Sequence, residues 1–230
     1  MLKAVVFDFD GIIVDTEALH FEALNRVLEP MGLGFSWDVY VRDFIGNDDR
    51  GVFEAVLRQA GHPITEEEVR RLVSRKAATF HHMVSSEPPR PFPDTLALIR
   101  RLRGRLPLAL CTGALRSDLE PIFGQLDLHD AFDAVVTADD VSASKPDPAC
   151  YRLAVRRLSE ARNIELEPPD CLAIEDTPTG IAAAKAARLR VLAVTNTHEA
   201  KELGAADAIL NTLDGLDIED LHRVAGRAAG

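Results

Sequence analysis

Leu2-Lys3-Ala4-Val5-Val6-Phe7-Asp8-Phe9-Asp10-Gly11 opens the chain with an apolar run that stops on two carboxylates and a glycine. A short apolar run bounded by turn residues reads as a buried strand. Residues i and i+2 of a strand share a face, so Asp8 and Asp10 are expected to look into one pocket. Gly11 lets the backbone turn sharply beside them. Two like charges held close invite a hard divalent cation such as Mg²⁺, which favours carboxylate and carbonyl oxygen and often binds together with a substrate phosphate. An acidic strand-to-loop turn fits the same residues, so this stretch alone leaves both readings open.

Working outward, further short apolar runs alternate with helical patterns: Leu106 to Cys111, Ala134 to Thr137, Cys171 to Ile174, Val191 to Val194 and Ala208 to Leu210. That alternation predicts an α/β fold, a Rossmann-like parallel sheet wrapped by helices. The alternation breaks between the first two runs, where Thr16 to about Ser86 is helical only. Leu19, Ala23 and Val27 form a stripe with Leu24, Leu28 and Met31, and Gly32 is a plausible stop. Thr65-Glu66-Glu67-Glu68 is a capping box opening a helix with Val69, Leu72, Val73, Lys76, Ala77 and Phe80 on one side. Pro88, Pro89, Pro91 and Pro93 mark a stiff return segment. The expected organisation is an α/β core of residues 1–16 and 88–230, with residues 17–87 inserted as a helical cap joined through about Ile13 to Glu17 and Glu87 to Pro93.

At 230 residues the chain can bury a full core. Its 26 Lys and Arg stand against 37 Asp and Glu, a net charge of -11, which argues against a nucleic-acid partner. A small anionic substrate stays compatible, because one lysine and a metal override the overall charge locally. Cys111, Cys150 and Cys171 lack metal-ligand spacing and read as buried free thiols of a reducing cytoplasm. No signal peptide precedes the first strand and no apolar stretch reaches membrane length, so a cytoplasmic protein with no membrane contact is expected. No obligate protein partner is implied.

Chemistry-bearing residues recur at the ends of the later runs: Thr112-Gly113 after Leu110-Cys111, Lys145 within Ser144-Lys145-Pro146-Asp147-Pro148, and Glu175-Asp176 after Ala173-Ile174. In open α/β sheets the ligand site lies beyond the carboxyl ends of the strands, so these residues should converge. In this order the four pieces resemble the haloacid dehalogenase superfamily. Asp8-x-Asp10-Gly11-x-x-x-Asp15-Thr16-Glu17 looks like its phosphatase and phosphomutase branch, and the resemblance covers nearly the whole chain.

The resemblance implies an enzyme acting on a small phosphorylated metabolite with Mg²⁺ as cofactor. It selects Asp8 as the nucleophile that forms an aspartyl-phosphate and Asp10 as general acid, then base. It implies metal ligation by Asp8, the backbone carbonyl of Asp10 and Asp176, with Glu175 as a further ligand or a supporting partner. Lys145 and Thr112, with the close backbone of Gly113, are expected on the phosphate. Helix capping explains Glu175 or Asp176 singly, though not both at a strand end. His20 and Lys76 occupy positions that look like core-to-cap contacts of β-phosphoglucomutases. The chain departs from that subgroup twice, with Leu24 where the mutases carry Trp, and Asp49 where they carry Arg, Arg50 falling one position late. His20 is a candidate for closing the cap, a histidine on an apolar helix also fitting a structural role, and it joins Arg50 and Lys76 as candidate substrate contacts, the two cations also fitting an ordinary helix surface. A phosphomonoesterase is the favoured reading and a sugar phosphomutase its rival. Third stands a silent binding module on the same fold.

Overall fold

The computed structural model describes residues 1–86 and 88–226. Six strands make one sheet: β1 (Ala4–Phe7), β4 (Leu108–Cys111), β5 (Ala134–Val136), β6 (Cys171–Glu175), β7 (Arg190–Val194) and β8 (Ala208–Leu210). They lie in the order β5-β4-β1-β6-β7-β8 and every neighbouring pair is parallel. The expected α/β class and parallel sheet are both present. β1 is central, with Phe7 in register with Leu110 on one side and Ile174 on the other. The residues that follow these three strands therefore emerge side by side.

Strand boundaries follow competition for backbone groups. β4 starts at Leu108 rather than Leu106 because the Leu106 N–H closes the preceding turn on Leu102 and Pro107 has no N–H to offer. β5 stops at Val136 because the Thr137 N–H is taken by the Asp140 carboxylate.

Alternation splits the strands into two buried faces. Val5, Phe7, Leu108, Leu110, Leu172, Ile174, Leu192 and Val194 belong to a core of large side chains, against which α5 (Pro93–Leu102), α6 (Arg116–Leu126) and α9 (Ile218–Gly226) pack. Ala4, Val6, Ala109, Cys111, Cys171, Ala173 and Ala193 face the other way. Their small volumes let α7 (Ala149–Arg162) and α8 (Pro178–Ala186) approach closely. The fully buried Phe7 contributes roughly 1.5–3 kcal/mol by its removal from water.

The chain leaves the sheet through β2 (Val14–Asp15) and returns through β3 (Arg90–Pro91), which pair antiparallel. Between them lie α1 (Glu17–Leu28), α2 (Trp37–Asp43), α3 (Asp49–Gln59) and α4 (Glu66–Ser86), helical only, as the sequence predicts. Glu87, the expected end of the insertion, lies outside the described residues. Gly32 ends the first helical stretch at φ 72, and the Thr65 hydroxyl caps α4 by accepting from the Glu68 N–H. The insertion has its own core of Leu24, Val27, Leu28, Tyr40, Phe44, Val52, Phe53, Val56, Leu57, Val69 and Leu72. Cys111, Cys150 and Cys171 are free and buried. Among the described residues no helix is long and apolar enough to cross a membrane.

Candidate active site

β1 ends at Phe7, so Asp8 is the first residue past its carboxyl end, held by its N–H donating to the Ile174 carbonyl at 3.0 Å. A tight turn then forms, with the Ile12 and Ile13 N–H groups donating to the Phe9 carbonyl and the Gly11 N–H to Val14. Both acids line one cavity of about 330 Å³ between the sheet and the helical insertion. They reach it differently from the strand alternation expected: Asp10 sits in the turn, and each carboxylate has its own partners. Gly11 is needed twice over, for its φ of +74 and because a Cβ there would lie 1.8 Å from Asp176 Oδ2.

Lys145 ties the floor of the site together. Its Nζ donates to Asp8 Oδ1 at 2.8 Å, Glu175 Oε1 at 2.6 Å and the Cys111 carbonyl at 3.2 Å. Burial alone would push this lysine down, but the Asp8 and Glu175 carboxylates hold it well above its usual value, so it stays charged. Burial, then the nearby Glu175, pushes Asp8 up against the pull of Lys145. Glu175 has both oxygens engaged: Oε1 also accepts from the Tyr151 hydroxyl at 2.6 Å, and Oε2 accepts from the Asp176 N–H and the Thr177 hydroxyl. A Cβ on Gly180 would lie 1.9 Å from Oε1, so that glycine permits the close approach of α8 to Glu175.

Asp8, Glu175 and Asp176 offer carboxylate oxygens within 4.8 Å of one another. Asp176 is fully buried, its Oδ2 accepting from the Thr197 hydroxyl and its Oδ1 without a partner. Burial and then the charge of Asp8 push Asp176 well up. An orphaned buried carboxylate oxygen, in an all-oxygen set whose members repel one another, fits a hard divalent cation.

Thr112 is buried just past β4, and its hydroxyl oxygen accepts from the Ala114 N–H at 3.0 Å, leaving the hydroxyl proton to donate elsewhere. Gly113 and Ala114 reach the cavity wall, whereas Thr112, Glu175 and Asp176 lie beneath it.

The insertion meets the core through a chain of polar contacts. Asp10 Oδ1 accepts from the Thr16 hydroxyl and lies 3.3 Å from His20 Nε2, while His20 Nδ1 lies 2.7 Å from Lys76 Nζ. The Lys76 amine is a donor, so Nδ1 accepts, and Nε2 carries the hydrogen that Asp10 accepts. Burial would raise Asp10, yet the hydrogen bonds from His20 and then Thr16 hold it below the usual carboxylate range. Lys76 also pairs with Asp49 at 3.0 Å and is 1% exposed, so the ordinary surface lysine that the sequence also allowed is a buried one. Arg50 lines the cavity, but its guanidinium is taken by Glu54 and Glu66 at 3.0 Å each. The Ser144 hydroxyl donates to Asp48 at 2.8 Å, and Gly46 lies against Thr177, closing the insertion's loop onto the core.

Four contributors went unnoticed in the sequence. Tyr151 carries no local signal in an amphipathic helix, and Thr197 and Asn196, whose amide donates to the Gly11 carbonyl at 2.7 Å, sit in a loop after β7. Asp118 has the position of an ordinary first-turn acid of α6.

Residues 5–194 match the haloacid dehalogenase-like hydrolase family. The chain belongs to that family. It is similar to the phosphorylated carbohydrates phosphatase of Thermotoga maritima, 31% identical over 90% of this chain and 93% of that protein. It is also similar to the β-phosphoglucomutase of Bacillus subtilis, at 29% over 96% and 94% of the two chains. The crystal structure of CbbY from Rhodobacter sphaeroides in complex with phosphate superposes with a TM-score of 0.81 at 26% identity, covering 94% of this chain and 96% of that one. The chain is thus an enzyme of the family's phosphatase and phosphomutase group.

Proposed function

We propose that the protein is a Mg²⁺-dependent phosphomonoesterase that hydrolyses a small phosphorylated sugar or polyol through an aspartyl-phosphate on Asp8, with residues 17–87 acting as the cap. The observation that carries this reading is the division of labour between the two acids. Asp8 is held by Lys145 at one oxygen, leaving the other for attack, while Asp10 is held by a separate set of partners, Thr16 and His20.

In the first half-reaction an Asp8 oxygen bonds to phosphorus and the P–O bond to the leaving alcohol breaks, with Asp10 delivering its proton to that oxygen. The arriving dianionic ester raises the proton affinity of Asp10 by like charge, against the hold of His20. In the second, Asp10 takes a proton from water, the water oxygen attacks phosphorus, and the bond to Asp8 breaks, releasing phosphate. Lys145 offsets charge on Asp8 and the phosphoryl oxygens, and the Thr112 hydroxyl with the Gly113 N–H serves the remaining oxygens. Asp8, Asp176 and the Asp10 carbonyl would hold Mg²⁺, whose chemistry is charge compensation on the transferring phosphoryl group. Glu175, with both oxygens spent on Lys145, Tyr151 and the loop, supports Lys145.

Water is favoured over a sugar hydroxyl as acceptor because Asp49 stands where the mutases carry arginine and already claims Lys76. The test is inorganic phosphate release from a panel of sugar and polyol monophosphates with Mg²⁺ and no bisphosphate primer. Net phosphate release supports hydrolysis. Isomerisation of a hexose 1-phosphate to the 6-phosphate, with strict need for primer and little free phosphate, would make the enzyme a mutase.

A further inference from the structure

Asp118 is a buried charge that the chemistry above does not use. It is 3% exposed in the first turn of α6, lines the cavity, and its Oδ1 has no hydrogen-bond partner. An unpaired buried carboxylate oxygen is expensive, and a first-turn acid already gains from the helix dipole when it faces solvent. Helix stability therefore does not account for its burial.

The other charges on the cavity wall narrow the question. Among the described residues, each cation there is already claimed by carboxylates: Lys145 by Asp8 and Glu175, Lys76 by Asp49, Arg50 by Glu54 and Glu66. The Glu17 carboxylate is taken by the Tyr40 hydroxyl at 2.6 Å. Once a phosphoryl group occupies the Asp8 end, the rest of the cavity offers an incoming group an unpartnered carboxylate and no uncommitted cation.

The geometry points to Asp118 as a specificity-determining residue that accepts hydrogen bonds from the hydroxyl groups of a polyhydroxylated leaving alcohol and excludes substrates bearing a second phosphate or a carboxylate. The inference rests on the phosphomonoesterase reading and narrows its substrate class. Burial pushes Asp118 up to about 6, so near neutral pH it is a carboxylate that a substrate hydroxyl solvates in place of water.

The test compares wild type, Asp118→Asn and Asp118→Ala, with Mg²⁺, on a pentitol and a hexitol monophosphate, a hexose bisphosphate, and p-nitrophenyl phosphate, which has no hydroxyls. Losing a hydrogen bond to a charged acceptor should lower the polyol-to-aryl ratio of kcat/KM about ten- to a hundredfold in Asp118→Ala. Asp118→Asn, whose amide oxygen still accepts, should lose less, and both variants should gain relative activity on the bisphosphate. Equal losses on polyol and aryl substrates would make Asp118 merely structural, and an unchanged ratio would overturn the inference. Calorimetric binding of the polyol phosphate to Asp8→Asn protein, with and without Asp118→Ala, reads the same contrast without turnover. A protein inactive on every monoester would thus sink the phosphomonoesterase reading while the Asp118 contrast stayed measurable.

Discussion

Replacing Asp118 by asparagine should stabilise the protein near neutral pH while impairing substrate selection. Burial raises this carboxyl from 3.8 to about 6, with Lys76 and His20 opposing and Asp49 adding to the rise. A group whose native value is raised binds its proton more tightly when folded, so its contribution is present in acid and lost as pH climbs between the two values. Near neutrality the ionised form costs the native state on the order of 3 kcal/mol. The near-isosteric amide carries no charge and escapes that cost. The difference between variant and wild type should vanish below about pH 3, grow through about pH 4–6 and level off above about pH 7. At roughly 2–4 °C per kcal/mol for a chain of this size, the plateau is roughly 6–12 °C in Tm. Thermal unfolding of both proteins across that range reads it directly, because the carboxylates remote from Asp118 titrate alike in the two and cancel. Equal Tm values at pH 7.5, or a stabilisation that does not change with pH, would refute the reasoning.

Asp10→Asn should lose about 10²–10⁴ in rate, more on alkyl than on aryl phosphates, because a good leaving group needs less protonation; steady-state kinetics on matched esters checks this, and equal losses would speak against Asp10 as proton donor. Mg²⁺ should raise the Tm of wild-type protein with the logarithm of its excess over Kd, and Asp176→Asn, which removes the orphaned oxygen, should abolish most of that rise in a thermal-shift titration. A rise of equal size in the variant would remove Asp176 from the metal set.

The sheet was legible because its strands are buried on both faces and therefore read as apolar runs. Their ends were less so, since Pro107 and the Asp140 side chain decide them through backbone hydrogen bonds that periodicity does not register. The site residues that end or follow strands, Asp8, Thr112, Glu175 and Asp176, were visible because the topology of a parallel sheet puts strand ends together. What could not be read was pairing across the insertion. A lysine on a helix is ordinarily solvated, and nothing in the sequence brings Asp49 and His20 to Lys76 or turns the guanidinium of Arg50 toward Glu66. Tyr151 and Asp118 were invisible for a related reason: each fills a position its own helix would accept for capping or core packing, and only tertiary contact gives it a second role.

The central claim is that phosphate passes through Asp8, and rapid acid quenching during turnover followed by peptide mass spectrometry tests it most directly. A phosphoryl group on the peptide holding Asp8, labile to hydroxylamine and absent from Asp8→Asn protein that remains folded, is the expected result. Turnover with no trapped phosphoprotein under pre-steady-state conditions, or phosphate trapped on any other residue, would contradict it.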